Sequence, residues 1–162
     1  MGAVTDPIAT PYFYDRLRAR VEGLTDDELT WEPAPGVTTI AWRLAHIADG
    51  LAAERNWRWL GHEPVARPTP TRATADEAIT DLEDAWHRWD GLVSPLTEAE
   101  LDTPVGPVGG PYAEASRREL VLHMVDELIH HGAEIGVLRD LYAATTHRLT
   151  TPGGPADTGD RP

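Results

Sequence analysis

Apolar residues recur at helical spacing in four segments of the chain, divided by polar and proline-rich stretches. Tyr12, Phe13, Leu17, Val21 and Leu24 predict a first helix over about residues 6–23, with Pro7 suited to its first turn. TDDELTWEPAPG breaks that pattern with two prolines and a glycine, and reads as a loop. A second helix is predicted to start after Thr38 or Thr39, either of which can cap it. It is expected to run unbroken through IAWRLAHIADGLAAERNWRWL to Leu60, closed by Gly61. Beyond the connector GHEPVARPTPT, a third helix is predicted from Thr74 to about Val93, with Ile79, Leu82, Trp86, Trp89 and Val93 as its buried stripe. SPLTEAELDTPVGPVGGPYAEA is longer than a compact bundle needs, and is a candidate functional loop. The fourth helix is predicted to begin near Ala115 or Ser116 and to continue through RRELVLHMVDELIHHGAEIGVLRDLYAATT. Four helices and no convincing strand predict an all-α four-helix bundle with a long loop before the last helix. The bundle domain is assigned to residues 1–146, and HRLTTPGGPADTGDRP, residues 147–162, is expected to be a disordered tail.

Composition narrows the chemistry. At 162 residues the chain is long enough for one domain with a sizeable core. Its 14 Lys+Arg against 27 Asp+Glu give a net charge of −13, which repels phosphate backbones and anionic headgroups, so neither nucleic acid nor membrane is an expected partner. There is no cysteine, and every basic residue is arginine. A thiolate nucleophile, a cysteine metal site and a lysine Schiff base are thereby excluded. Serine occurs only at Ser94 and Ser116, so a protein nucleophile of any kind is a poor expectation. The N-terminus lacks a basic segment followed by an apolar one, and no apolar run approaches the roughly 18 residues of a membrane span. A cytoplasmic location is the default expectation.

The fourth helix carries an anomaly. At about 100° per residue, Glu127 and His131 fall one turn apart on the side shared by Leu120, Met124, Ile135 and Leu138, with Glu134 close to the same line. His130 and His123 project to the flank, and Asp126 farther round toward solvent. On the second helix, His46 shares its side with Trp42, Gly50, Ala53, Trp57 and Leu60. A carboxylate or imidazole on an apolar face needs a partner, because burying it alone costs several kcal/mol, of the order of ~2–7 kcal/mol even for a neutral polar group. Two arrangements satisfy that need. Glu127 and His46 can hydrogen-bond each other inside the core, or His46, Glu127 and His131 can converge on a metal, since an E-x-x-x-H pair at i and i+4 chelates well and a facing helix supplies the third ligand. Glu134 is a candidate to orient a ligand or act as a general base, and otherwise to pair with an arginine. Trp42 and Trp57, flanking His46 in projection, are candidates to line a substrate or cofactor pocket, or else simple core. His62, His87 and His147 read as ordinary.

TTIAWRLAHIADGLAAERNWRWLG and HMVDELIHHGAEIGVLRDLY resemble the second and fourth helices of the DinB-like superfamily, which includes metal-dependent thiol-transferase and maleylpyruvate-isomerase-type proteins, and TDDELTWEPAPG is similar to its loop before helix two. The resemblance implies a four-helix bundle, often dimeric, with a divalent metal held by one histidine of helix two and two ligands spaced i and i+4 on helix four. His46 matches the first position and His131 the last; Glu127 stands where the family usually has histidine. Two histidines and one carboxylate still form a recurrent open set for zinc first, and for nickel, iron or manganese. The expected function is a metal-dependent enzyme acting on a small molecule, the ion activating a low-molecular-weight thiol or water to attack an electrophile, as an S-transferase, isomerase or hydrolase. The alternative is a non-catalytic, stress-related binding or dimerisation module with a structural metal or none. A homodimer is expected from the resemblance alone.

Overall fold

Hydroxyl side chains start most of the helices, at Thr25, Thr39, Thr74, Thr97 and Ser116. The computed structural model describes residues 10–150, and among them seven α-helices and one short 3₁₀ segment form an all-α bundle. The first helix, α1 (Thr10–Arg20), ends in a turn at Gly23, and Thr25 then caps the single-turn α2 (Asp26–Thr30) by a reciprocal box with Glu28. Thr39 caps α3 (Ile40–Leu51), accepting from the Trp42 amide at 3.2 Å. After the short α4 (Glu54–Trp59), Thr74 caps α5 (Ala75–Val93) and Thr97 the single-turn α6 (Glu98–Leu101). A 3₁₀ segment, Pro107–Tyr112, leads into α7 (Arg117–Thr150), where Ser116 accepts from the Glu119 amide while the Glu119 carboxylate accepts from the Ser116 amide at 2.6 Å.

The core lies between α1, α3, α5 and α7. Leu17, Leu44, Ile47, Leu82, Trp89, Met124 and Ile135 are almost wholly buried there. Tyr14 of α1 stacks on Trp86 of α5, ring centroids 4.4 Å apart. Arg139 of α7 reaches back to donate to the Arg20 and Glu22 carbonyls, 2.8 Å each, and to Glu28 at 3.0 Å. The proline-rich connector is fastened by Arg67 and Arg72, which both grip the buried Asp81 of α5.

Several boundaries differ from expectation. The second predicted helix is two, broken at Ala52 and Ala53. Asn56, fully buried, donates from Nδ2 to the carbonyls of Gly50 (2.8 Å) and Leu51 (3.0 Å), ending α3 from the side while α4 starts on a new axis. Gly61 closes α4 at φ +87°, and a Cβ there would meet the Arg117 guanidinium at 2.9 Å. The predicted loops contain α2, α6 and the 3₁₀ segment. In the third helix Ile79 is only partly buried, the rest of its stripe buried. The last helix continues to Thr150, so residues 147–150, assigned by sequence to the tail, are helical. The predicted start of α1 at residues 6–9 and the tail from 151 lie outside the described residues.

Candidate metal centre

Two helices supply the polar cluster. From α3 come Trp42, Arg43 and His46, and from α7 come Glu127, His131 and Glu134. The helices approach closely next to them, for a Cβ on Gly50, one turn beyond His46, would stand 3.3 Å from Met124 Cε.

Glu127 is the hub. Its Oε2 lies 3.0 Å from His46 Nε2 and 3.3 Å from His131 Nε2, while its Oε1 faces His123 Nε2 at 4.0 Å. The three donor atoms of His46, Glu127 and His131 all lie within 4.8 Å of one another. Tetrahedral bonds of about 2.0–2.2 Å place ligand atoms roughly 3.3–3.6 Å apart, so the set fits a small divalent ion with modest adjustment. The hydrogen bond between Glu127 and His46 exists too, but not inside the core. His46 is 45% exposed in its side chain, Glu127 24% and His131 12%, so the cluster opens to solvent along its His46 edge.

Behind His131 stands a second carboxylate. His131 Nδ1 donates to Glu134 Oε2 at 2.7 Å, and the same oxygen accepts from Arg43 Nε at 2.8 Å. Arg43 is itself buried, and its Nη1 donates to the carbonyls of Thr38 and Thr39. Burial pushes the Glu134 carboxyl up, but the hydrogen bonds and charge of His131 and Arg43 outweigh it and hold the group below the ordinary glutamate value. The chain Arg43–Glu134–His131 therefore fixes the His131 ring and commits its Nδ1 to a proton. In a neutral imidazole that leaves Nε2 with a bare lone pair, aimed at the Glu127 carboxylate. Two lone pairs facing each other at 3.3 Å repel; a cation between them, or a second proton on His131, removes the conflict.

The other candidates divide. Trp42 is half exposed and stacks on the His46 ring, centroids 4.9 Å apart and 9° from parallel, and meets the His131 ring in a T-shaped contact at 5.9 Å. Trp57 lies on α4, beyond the break at Ala52, and packs partly buried against the core. The projection that set it beside His46 assumed an unbroken helix. Glu134 both pairs with an arginine and orients His131. His130 is exposed, its Nε2 3.3 Å from Glu134 Oε1; with His131 and Glu134 it makes a second close donor group, but one in which Nδ1 of His131 is already hydrogen-bonded. Asp126, His62 and His87 are exposed. Sequence reasoning missed Arg43, whose signal is an arginine on the buried side of α3 between Ile40 and Ile47.

Comparison with known proteins covers the same helices. A protein of Geobacillus kaustophilus (strain HTA426), provisionally named a metal-dependent hydrolase, is 29% identical over 141 residues spanning 76% of each chain. A Geobacillus thermodenitrificans (strain NG80-2) protein with the same provisional name is 27% identical over 143 residues, 77% of each chain. The crystal structure of a conserved protein from Enterococcus faecalis superposes with a TM-score of 0.60 at 14% identity, over 83% of this chain and 93% of that one, a likeness of fold alone. The sequence profile of the DinB superfamily matches residues 12–135, from α1 through the α7 turn that carries Glu127, His131 and Glu134. The chain belongs to the DinB superfamily.

Proposed function

We propose that this protein is a metal-dependent enzyme whose divalent ion is held by His46, Glu127 and His131. The observation that carries the reading is the convergence of His46 Nε2, Glu127 Oε2 and His131 Nε2 within 4.8 Å of one another, with His131 Nδ1 already turned to Glu134. The provisional names of the Geobacillus relatives support the same class of chemistry.

An ion bound by two imidazoles and a carboxylate supplies Lewis acidity, lowering the pKa of a small thiol or water so that it can attack an electrophile near neutral pH. The chain's own residues do the rest. Glu134 keeps the His131 proton on Nδ1 and its Nε2 free to ligate; Arg43 keeps Glu134 ionised. Trp42 restricts the His46 ring by stacking on it, and shields one face of the centre from water. Glu134, with both oxygens engaged by His131, Arg43 and His130, is better suited to orient His131 than to abstract a substrate proton. No cysteine or lysine competes for the reaction, so the nucleophile arrives as a thiol or as water.

The test is elemental analysis of protein purified without a metal-binding tag, followed by the same measurement on His46→Ala, Glu127→Ala and His131→Ala. Near-stoichiometric zinc, nickel, iron or manganese in the wild type, reduced in each variant, is expected. A metal-free wild type whose melting ignores chelator would sink the proposal and leave a second reading, a non-catalytic bundle, favoured by the 3.0 Å hydrogen bond between His46 and Glu127. With metal established, a panel of low-molecular-weight thiols against an electrophilic dye separates transferase from hydrolase.

A further inference from the structure

Beside the centre, α4, the 3₁₀ segment and the first turns of α7 line a half-open cavity of about 340 Å³. Its walls are mostly apolar, built from Trp59, Val105, Tyr112 and Leu120, with Arg55, Ser116, Glu119 and His123 as polar points. Such a volume lies within the roughly 300–1,000 Å³ typical of small-molecule sites. His123 is also the link to the centre, for its Nε2 lies 4.0 Å from Glu127 Oε1. One helical turn thus separates the cavity wall from the proposed ligands.

Arg55 distinguishes this cavity from a plain apolar cleft. Among the described residues it has no ion pair; its guanidinium lies over the Trp59 ring, 5.8 Å from the centroid. Arg58, three residues on, is by contrast bound to Glu54 at 2.6 Å. Stacking on an aromatic face leaves the planar fork of N–H donors free for a second partner, and a carboxylate matches that fork in a bidentate fashion. The other wall groups argue for a single negative charge. The N-terminus of α7 is already closed by the Glu119 carboxylate, 2.6 Å from the Ser116 amide, and that carboxylate also lines the cavity. A phosphate dianion would meet one guanidinium, one carboxylate and no free helix terminus, in a chain of net charge −13. A monocarboxylate meets the same guanidinium and the same Glu119 carboxylate but carries a single charge, and its apolar body finds four apolar walls.

We infer that this cavity binds the acceptor substrate, an apolar or aromatic monocarboxylate, with Arg55 recognising the carboxylate and Trp59, Tyr112 and Leu120 holding the body. The inference rests on the metal-centre reading for its role in the reaction, but the binding itself does not require the ion.

The experiment is calorimetric titration of the full-length, chelator-treated protein with 3-phenylpropionate and with its uncharged amide. The acid is expected to bind about tenfold or more tightly than the amide, the factor of one charge-assisted pair. Arg55→Gln removes that advantage while leaving amide binding unchanged, and Ala115→Trp, which fills the cavity, removes the binding of both. Equal affinity for acid and amide in the wild type, or an unchanged preference in Arg55→Gln, overturns the inference. Metal affinity is measured separately on the same proteins, and Arg55→Gln leaves it as in the wild type. A wild type that binds no metal yet shows Arg55-dependent binding refutes the metal reading and still supports the cavity as a carboxylate site.

Discussion

Glu134→Gln isolates the charge behind His131. Glutamine keeps the shape, and its one oxygen can accept from both His131 Nδ1 and Arg43 Nε, as Glu134 Oε2 does at 2.7 and 2.8 Å. The amide nitrogen then takes the position of Oε1 beside His130. What changes is the strength of two hydrogen bonds. A bond to a charged group contributes about 1.5–3 kcal/mol and a neutral one about 0.5–1.5, so the weakened His131 bond amounts to about 1–1.5 kcal/mol, and Arg43, still a charged donor, adds about 1 kcal/mol for its lost ion pair. The Glu134 side chain is 36% exposed, and solvent screening reduces the expected loss of folding stability to about 1–2 kcal/mol. Metal affinity should fall about ten- to a hundredfold, the usual effect of removing a carboxylate that orients a ligating histidine. Two measurements separate these effects: urea unfolding of the chelator-treated protein, and competition for zinc against a chromophoric chelator. Arg43→Met should weaken zinc binding in the same direction, and the double variant should lose less than the sum, because both act through one contact. A zinc dissociation constant within twofold of wild type in Glu134→Gln, alongside its collapse in His46→Ala, would falsify the claim that Glu134 sets the His131 ring.

Three further outcomes follow from other parts of the fold. Asn56→Asp places an acceptor where Nδ2 now donates to Gly50 and Leu51, and should cost about 3 kcal/mol or more in denaturant unfolding; a loss under 1 kcal/mol would mean that the break in α3–α4 does not depend on this side chain. The Tyr14 hydroxyl is pushed up to about 12, first by burial and then by Glu83, against an ordinary value of 10. The neutral form is favoured by folding, so its stabilisation is complete below pH 10 and is lost between pH 10 and about 12. Tyr14→Phe should flatten that alkaline decline in unfolding free energy, and an identical slope in both proteins would contradict it. Trp42→Ala removes the ring stacked on His46 and should weaken zinc binding about two- to tenfold, from the ~0.5–1.5 kcal/mol of an aromatic contact; the same competition assay reads it.

What the chain made legible was what is local. Thr39, Thr74 and Ser116 mark helix starts because an N-cap needs only its own side chain and an amide two or three residues on. Glu127 and His131 share a face for the same reason, being one turn apart on a single unbroken helix. The features that stayed hidden depend on distant partners. AAERNWRW has no helix breaker, so nothing nearby announces that Asn56 turns back on the end of α3; with that break unseen, Trp57 is projected onto the wrong face. Arg43 meets its partner 91 positions away, and no spacing rule reaches that far.

Glu127 joins the local and the distant. A histidine there would direct one ring nitrogen toward His46 and His131 and have no second acceptor to turn elsewhere. The carboxylate presents Oε2 to the two imidazoles and Oε1 toward His123, at the wall of the Arg55 cavity. In the proposed centre, a carboxylate at this position rather than the histidine that the resemblance implies thus sets an anionic edge toward the proposed substrate cavity. Glu127→His tests whether that edge matters. It should retain metal, because a three-histidine set is also a sound zinc site, while the acid-over-amide preference of the cavity rises as the nearby negative charge is removed. Loss of metal in Glu127→His, with the preference unchanged, would show that the carboxylate serves the ligand set alone and has no electrostatic reach into the cavity.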